Sequence, residues 1–226
     1  MRTICNKLLF VTFLLLCVAN VKAQDFESTY NGSHVYYNKT SDNTVEVTYR
    51  GKSFSTFENE YRGDCVIPSR YSNYNVTSIG KSAFRDCKEL TSVTLPASII
   101  NIDDYTFSGC NELISIVIPE SVTNIGVDAF RYCHKLQDVT IPNGITTIKG
   151  YTFCGCNSIK NITIPPSVTS IETSAFHSCN SLTNINIPNS VTEIGWYAFY
   201  DCNSITNVTI PNSVKNIGEK AFYGCI

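Results

Sequence analysis

Ser181-Leu182-Thr183-Asn184-Ile185-Asn186-Ile187-Pro188-Asn189-Ser190-Val191-Thr192-Glu193-Ile194-Gly195, closed by Ala198-Phe199 and Cys202, is a phrase that recurs along most of this chain. Pro96, Pro119, Pro142, Pro165, Pro188 and Pro211 stand 23 residues apart. Cys87, Cys110, Cys133, Cys156, Cys179, Cys202 and Cys225 keep the same interval, as do Phe84, Phe107, Phe130, Phe153, Phe176, Phe199 and Phe222. A fixed period in this range marks a repeat protein, in which each unit buries its apolar face against its neighbours. Such a chain is one continuous stack without a central core.

Within the unit after Cys110, the apolar positions are Leu113, Ile116, Ile118, Val122, Ile125, Phe130 and Cys133. Ile116 and Ile118 alternate with polar neighbours, as in a strand with one buried face. The proline that follows has no N–H and ends the pairing. The Ser-Val-Thr-x-Ile segment is β-branched and predicts a second short strand. Gly80, Gly126, Gly195 and Gly218 come next, where we expect a turn with positive φ. Ala-Phe-x-x-Cys has helix-like spacing and predicts one short helical turn. The unit is too short for a long helix, so the expectation is a flattened right-handed coil. Coils stack at the strand spacing of about 4.8 Å, and six or seven of them make a rod roughly 30 Å long.

Residues 24–64 lie outside this pattern. Val35-Tyr36-Tyr37 and Val45-Glu46-Val47-Thr48-Tyr49 read as strands, joined by the polar run 38–43 into a β-hairpin. Repeat stacks need atypical end units, so the hairpin is read as a cap. Cys65-Val66-Ile67-Pro68 begins a first repeat that is five residues too long, since Pro68 to Pro96 is 28. Tyr71-Ser72-Asn73-Tyr74 is expected to bulge as a surface loop. At the other end, Ile226 follows a repeat cysteine by one residue. The last unit is therefore incomplete, and either the chain is a fragment or something else shields that end.

Arg2 and Lys7 precede an apolar run, Leu8 to Val18, that is too short to span a bilayer. With Val21-Lys22-Ala23 at a cleavage position, residues 1–23 read as a secretory signal peptide and Gln24 as the mature N-terminus. Lipoprotein processing at Cys17 is the rival reading, and the large Leu16 before it argues against. The rest of the chain has no apolar stretch of membrane-spanning length. Of 226 residues 43% are hydrophobic, too many for a disordered chain. The net charge of -2, without a basic stripe, argues against nucleic-acid binding.

The phrase Ser-Leu-Thr-Asn-Ile-x-Ile-Pro-Asn-Ser-Val-Thr-x-Ile-Gly-x-x-Ala-Phe-x-x-Cys resembles the leucine-rich repeat of the BspA type over residues 65–226. The leader through Val66-Ile67-Pro68 also resembles that of such proteins from Bacteroides and its relatives. Asp103, Lys149 and Glu172 depart from the pattern at the turn glycine, and Thr106 and Thr152 at the alanine. The resemblance implies a leucine-rich-repeat β-solenoid of about seven units over residues 65–226. Each coil carries two short parallel strands and a short helical turn, and the N-terminal β-hairpin of residues 24–64 caps the stack. It also implies a secreted or surface protein that attaches to host extracellular-matrix proteins such as fibronectin, or to other cells.

No pattern of catalytic chemistry stands out. His34, His134 and His177 fall in different places, and no nucleophile turn, metalloprotease helix or phosphate loop occurs. No cofactor is implied. After removal of the signal peptide nine cysteines remain, seven of them one per coil. Thiols set along a line do not converge on a zinc ion, and cysteine fills a tight apolar corner well. Cys154, at a varying position, is expected to be exposed. Binding is the remaining class, with a glycan-binding or structural cell-envelope module as the alternative to adhesion, and two surfaces are candidates. Thr140, Thr163, Asn186 and Thr209 should form a polar ladder on one sheet face, suited to a glycan or an extended peptide, or merely to solubility. Trp196, Tyr197 and Tyr200 form an aromatic cluster of the kind favoured at contact sites. Asn-x-Ser/Thr matches at Asn31, Asn38, Asn75, Asn161 and Asn207 matter only in a eukaryotic secretory route.

Overall fold

The computed structural model describes residues 25–50 and 60–225. The signal peptide and Cys17 lie outside the described residues. The chain begins with β1 (Phe26–Tyr30), β2 (Ser33–Lys39) and β3 (Thr44–Thr48). It continues with β4 (Gly63–Val66), β5 (Arg70–Tyr71) and β6 (Tyr74–Ile79). Each coil then adds two strands: β7 (Leu90–Thr94) and β8 (Asn101–Ile102), β9 (Ser115–Val117) and β10 (Asn124–Ile125), β11 (Asp138–Val139) and β12 (Thr147–Ile148). After them come β13 (Asn161–Thr163) and β14 (Ser170–Ile171), β15 (Asn184–Asn186) and β16 (Glu193–Ile194), β17 (Val208–Thr209) and β18 (Asn216–Ile217).

The expected hairpin is β2–β3, antiparallel with Tyr37 opposite Val47. The sequence reading missed β1, which pairs β2 through an Asn31-Gly32 turn. Both turn residues have positive φ, 46° and 82°, the geometry of a two-residue hairpin turn. β3 runs parallel to β6 and sets Val45 opposite Val76, so the hairpin continues directly into the first coil. Tyr61, buried beside it, donates its hydroxyl proton to the Thr48 carbonyl at 2.7 Å.

Residues 71–74 are not a bulging loop. β5 and β6 form a tight antiparallel hairpin, with Tyr71 opposite Tyr74. Tyr71 stacks on Phe26 and Tyr37 at 5.3 and 4.8 Å, and Tyr74 on Phe26 at 5.4 Å. Aromatic surface is worth more packed than solvated, and β1 supplies the partner that the repeat pattern could not reveal.

Among the described residues the strands form four sheets. One side of the solenoid carries the orders β4-β7-β9-β11 in reverse and β13-β15-β17, the other β1-β2-β3-β6-β8-β10 and β12-β14-β16-β18. The two sides are interrupted one coil apart, between β10 and β12 on one side and between β11 and β13 on the other. The seven apolar positions of each coil point inward, except in the last coil, where Ile210 and Ile217 are exposed. In the unit after Cys110 all seven are buried.

The third side is where sequence and structure part. The Ala-Phe-x-x-Cys segment is a run of turns, not a helical turn. Ala83, Arg85 and Cys87 each donate their amide to the carbonyl three residues back. The amides between them, Ser82, Phe84 and Asp86, instead donate to Asp104, Thr106 and Ser108 of the next coil, at 3.0, 2.8 and 2.8 Å. Such alternation needs two left-handed residues per coil, for example Ser82 and Asp86 (both φ 58°), Tyr105 (57°) with Gly109 (78°), and Asp128 (56°) with Tyr132 (59°). A left-handed L-residue costs roughly 1–2 kcal/mol. What outweighs it is a complete inter-coil ladder and the phenylalanine column beneath. Phe84, Phe107, Phe130, Phe153, Phe176, Phe199 and Phe222 stack at centroid spacings of 5.0 to 5.5 Å, and Tyr61 extends the column at 4.3 Å from Phe84.

The glycines at 80, 126, 195 and 218 are corrected too, since none of them has positive φ. They are small because coils approach closely there. A Cβ on Gly195 would lie 2.6 Å from the Glu172 carbonyl carbon, and one on Gly218 2.6 Å from the Gly195 carbonyl carbon. At the same repeat position, Asp103 uses its carboxylate to accept from the Asp104 amide at 2.8 Å, and Glu172 accepts from Gly150 at 2.9 Å.

Candidate functional site

The cysteine ladder is structural. Each of Cys110, Cys133, Cys156, Cys179, Cys202 and Cys225 donates its thiol to the phenylalanine carbonyl of the coil before it, at 3.0 to 3.4 Å. The nine described cysteines are free thiols. Burial pushes their pKa values up, to about 11 for Cys65 and about 12 for Cys87 and Cys202. A thiol so held is a poor nucleophile and a poor metal ligand. Among the described residues no three His, Cys, Asp or Glu side chains gather where a metal could sit. The threonines that replace alanine are buried and satisfied: Thr106 donates to the Asp103 carbonyl at 2.7 Å and Thr152 to that of Lys149 at 2.8 Å.

The two candidate surfaces lie on different sides of the coil. Thr163, Asn186 and Thr209 are exposed and stand in register, one per strand, on β13, β15 and β17. Thr140 is exposed at the end of β11. The aromatic residues lie on the side made of turns. Trp196 is 60% exposed. Tyr197 meets Tyr200 edge to face at 5.5 Å, while His177, Tyr200 and Tyr223 form a stack at 4.9 and 5.1 Å. The structure thus joins Tyr197 and Tyr200 to His177 and Tyr223, and separates all of them from the polar ladder.

The same side holds a groove of about 460 Å³ that the sequence reading did not find. Its lining includes Arg131, Tyr132, Tyr151, Cys154, His177 and Tyr197, drawn from four successive coils. Gly155 makes room for it, because a Cβ there would sit 2.6 Å from the Tyr132 ring. The Arg131 guanidinium lies 4.7 Å from the Tyr132 ring centre and 5.2 Å from that of Tyr151. It donates to the Tyr132 hydroxyl at 2.9 Å and to the Asp128 carboxylate at 3.0 Å. Burial penalises the cation, but these hydrogen bonds outweigh that penalty and raise its pKa above the ordinary arginine value. At the far end Ser178 Oγ and His177 Nδ1 share a hydrogen bond of 2.9 Å.

Cys154 belongs to this groove and corrects an expectation, since it is only 5% exposed. Burial raises its pKa, and the neighbouring Arg131 offsets part of that rise. Its repeat position faces outward, as the sequence suggested, but long side chains on adjacent coils cover the small thiol. One signal could have exposed the groove beforehand. Tyr105, Tyr151 and Tyr197 recur on every second coil, and so do Arg85, Arg131 and His177. The pairing repeats in space, with the Arg85 guanidinium 5.3 Å from the Tyr105 ring centre.

The pattern named "BspA type Leucine rich repeat region" matches residues 53–183 and 146–226, in six copies. Solved structures agree. A leucine-rich repeat protein from Bacteroides ovatus is 28% identical with a TM-score of 0.50, the match covering 89% of this chain and 63% of that one. A leucine-rich cell surface protein from Faecalibacterium prausnitzii is 28% identical with a TM-score of 0.60, over 84% of this chain and 55% of that one. A leucine-rich repeat protein of T. pallidum is 29% identical with a TM-score of 0.55, over 88% and 78%. The chain therefore spans less than two thirds of the first two proteins. No curated protein matches it. Among the described residues no helix is long and apolar enough to cross a membrane.

Proposed function

The chain belongs to the BspA-type leucine-rich repeat family, and on that premise we propose that it acts outside the cell by binding, as an adhesion module for a matrix protein or another cell surface. The solenoid is a scaffold of the kind that typically binds through its extended surface. The observation that carries the reading is the turn side, where exposed Trp196, half-buried Tyr197 and Tyr200, and the Arg131 groove bring aromatic surface together. Aromatic and arginine side chains dominate contact energies at protein interfaces. The cell surface description of the Faecalibacterium protein supports an extracellular location, as does the reading of residues 1–23 as a signal peptide. Cleavage before Gln24 is favoured over lipid attachment at Cys17. Residues 24–64 serve as the cap of the solenoid that runs from 65 to 226.

Immobilised fibronectin and intact host cells, compared with an albumin surface, test this reading. Saturable binding at micromolar protein is expected. Replacing Trp196 and Tyr197 together by alanine should weaken it at least tenfold, about 1.4 kcal/mol. Binding no stronger than to albumin on every surface sinks the adhesion reading. Unchanged binding of the double variant removes the aromatic cluster from it.

A further inference from the structure

We propose that the groove centred on Arg131 binds a carboxylated sugar chain, the carboxylate held by the guanidinium and the sugar rings laid on the tyrosines. The inference rests on the extracellular binding role proposed above and assigns one ligand class to one site. Three features of the lining select that class. First, the charge is one-sided. Arg131 faces the groove, and the carboxylate that holds it, Asp128, sits behind it with a side chain only 5% exposed. The groove lining itself contains no acidic side chain. The guanidinium has five N–H groups. One goes to Asp128 and one to Tyr132, Nε is buried and Cys154 lies in hydrogen-bond reach, which leaves outer Nη N–H groups for an incoming carboxylate, the anion whose geometry a guanidinium matches.

Second, the walls are phenols. Tyr132, Tyr151 and Tyr197 each present a flat apolar ring and a hydroxyl, and the remaining lining is cysteine, glycine, serine and histidine. A pyranose has the complementary make-up, a C–H face and a rim of hydroxyls. An acidic peptide would need hollows for aliphatic or aromatic side chains, and no aliphatic residue lines the groove. Third, the groove runs along the solenoid axis. Tyr132 and Tyr197 are three coil steps apart, roughly 14 Å at the strand spacing. That favours a chain of sugars over a single unit. The tyrosines are already fixed by the left-handed backbone at Tyr132, Tyr151 and Tyr197 and by the cation between two of them, so little ordering is needed on binding.

Calorimetric titration of the purified protein with tetragalacturonate provides the test. Its methyl ester is the control that keeps the rings and removes the charge. A sialyl oligosaccharide, as a second arm, tells a sialic acid from a uronic acid, and an acidic peptide is the competitor. The acidic sugar should bind, with weakening as salt is raised. The methyl ester, Arg131→Gln and Tyr151→Ala should each lower affinity at least tenfold, while Thr29→Ala, at an exposed position of β1, leaves it unchanged. Arg131→Lys, which keeps the charge but not the fork, should fall between. Equal binding of ester and acid, an unaffected Arg131→Gln variant that unfolds at the parent temperature, stronger binding of the acidic peptide, or no binding of either acidic sugar at millimolar concentration each overturns the proposal. Fibronectin and cell binding measured on the same preparation separates the two ideas. If adhesion persists without sugar binding, the groove assignment fails and the adhesion reading stands.

Discussion

A side chain at position 195 would have nowhere to go. Its Cβ would meet the backbone of Glu172 and Thr173 at 2.6 Å, and backbone cannot swing aside as a side chain can. Gly195→Ala should therefore cost about 1–3 kcal/mol, the usual range for overpacking. Gly195→Asn should be no better. Were this glycine present for a left-handed turn, asparagine would be the tolerated replacement, so urea unfolding of the two variants decides between the explanations. Asparagine clearly outperforming alanine would restore the turn reading. Gly155 illustrates the opposite case. It does have positive φ, 75°, and it also lies under a tyrosine ring, so conformation and space both select it. From sequence the two glycines look alike. What distinguishes them is the coil on which each rests.

The same dependence on neighbours sets what could be read about the elements. The strands were legible because each carries its own evidence: alternation at Ile116 and Ile118, and a proline that ends it. The turn run was not, because Phe and Cys three apart also suit a helix. Only the partners of Ser82, Phe84 and Asp86 on the next coil decide in favour of turns. Tyr71 and Tyr74 read as a loop because β1, their partner, comes 40-odd residues earlier and follows no repeat. Tyr197 and Tyr200 were legible as neighbours and do meet, while Trp196 makes no ring contact with them among the described residues. The groove beside them was hidden in a two-coil alternation and in the absence of a side chain at Gly155. The hairpin packing invites its own check. Tyr71→Ala removes the ring between Phe26 and Tyr37, and on the order of 2 kcal/mol should be lost locally. Hydrogen exchange of β1 amides should accelerate while that of the later coils does not. Equal acceleration throughout would mean that the hairpin and the stack open as one unit.

Over the whole molecule the buried thiols act together. An unfolded cysteine ionises near pH 8.5, whereas burial holds the folded thiols protonated to higher pH, to about 11 at Cys65 and about 12 at Cys87 and Cys202. A raised pKa in the folded state means that stability is complete below the unfolded value and is lost as pH climbs through the folded ones. Each thiol that ionises only on unfolding costs about 1.4 kcal/mol per pH unit. Cys110, Cys133, Cys156 and Cys179, shifted upward by burial along the column, together make that roughly 5 kcal/mol. Urea midpoints under reducing conditions should therefore hold steady from pH 6.5 to about 7.5, begin to fall as pH approaches 8.5 and drop sharply by pH 10. A midpoint unchanged at pH 10 would show that the ladder is not sealed from solvent.

A periodic chain also has a counting problem. Any of its coils matches its neighbour's neighbour almost as well, so nothing inside the repeat tells the growing stack where it begins. Among the described residues the β5–β6 hairpin is the one place where the coil carries extra residues, and its tyrosines pack on Phe26 of β1 and Tyr37 of β2. It breaks the translational symmetry of the sequence and gives the stack an origin. From that origin the phase of every later coil follows, and with it the alignment of Arg131, Tyr151 and Tyr197 along a single line.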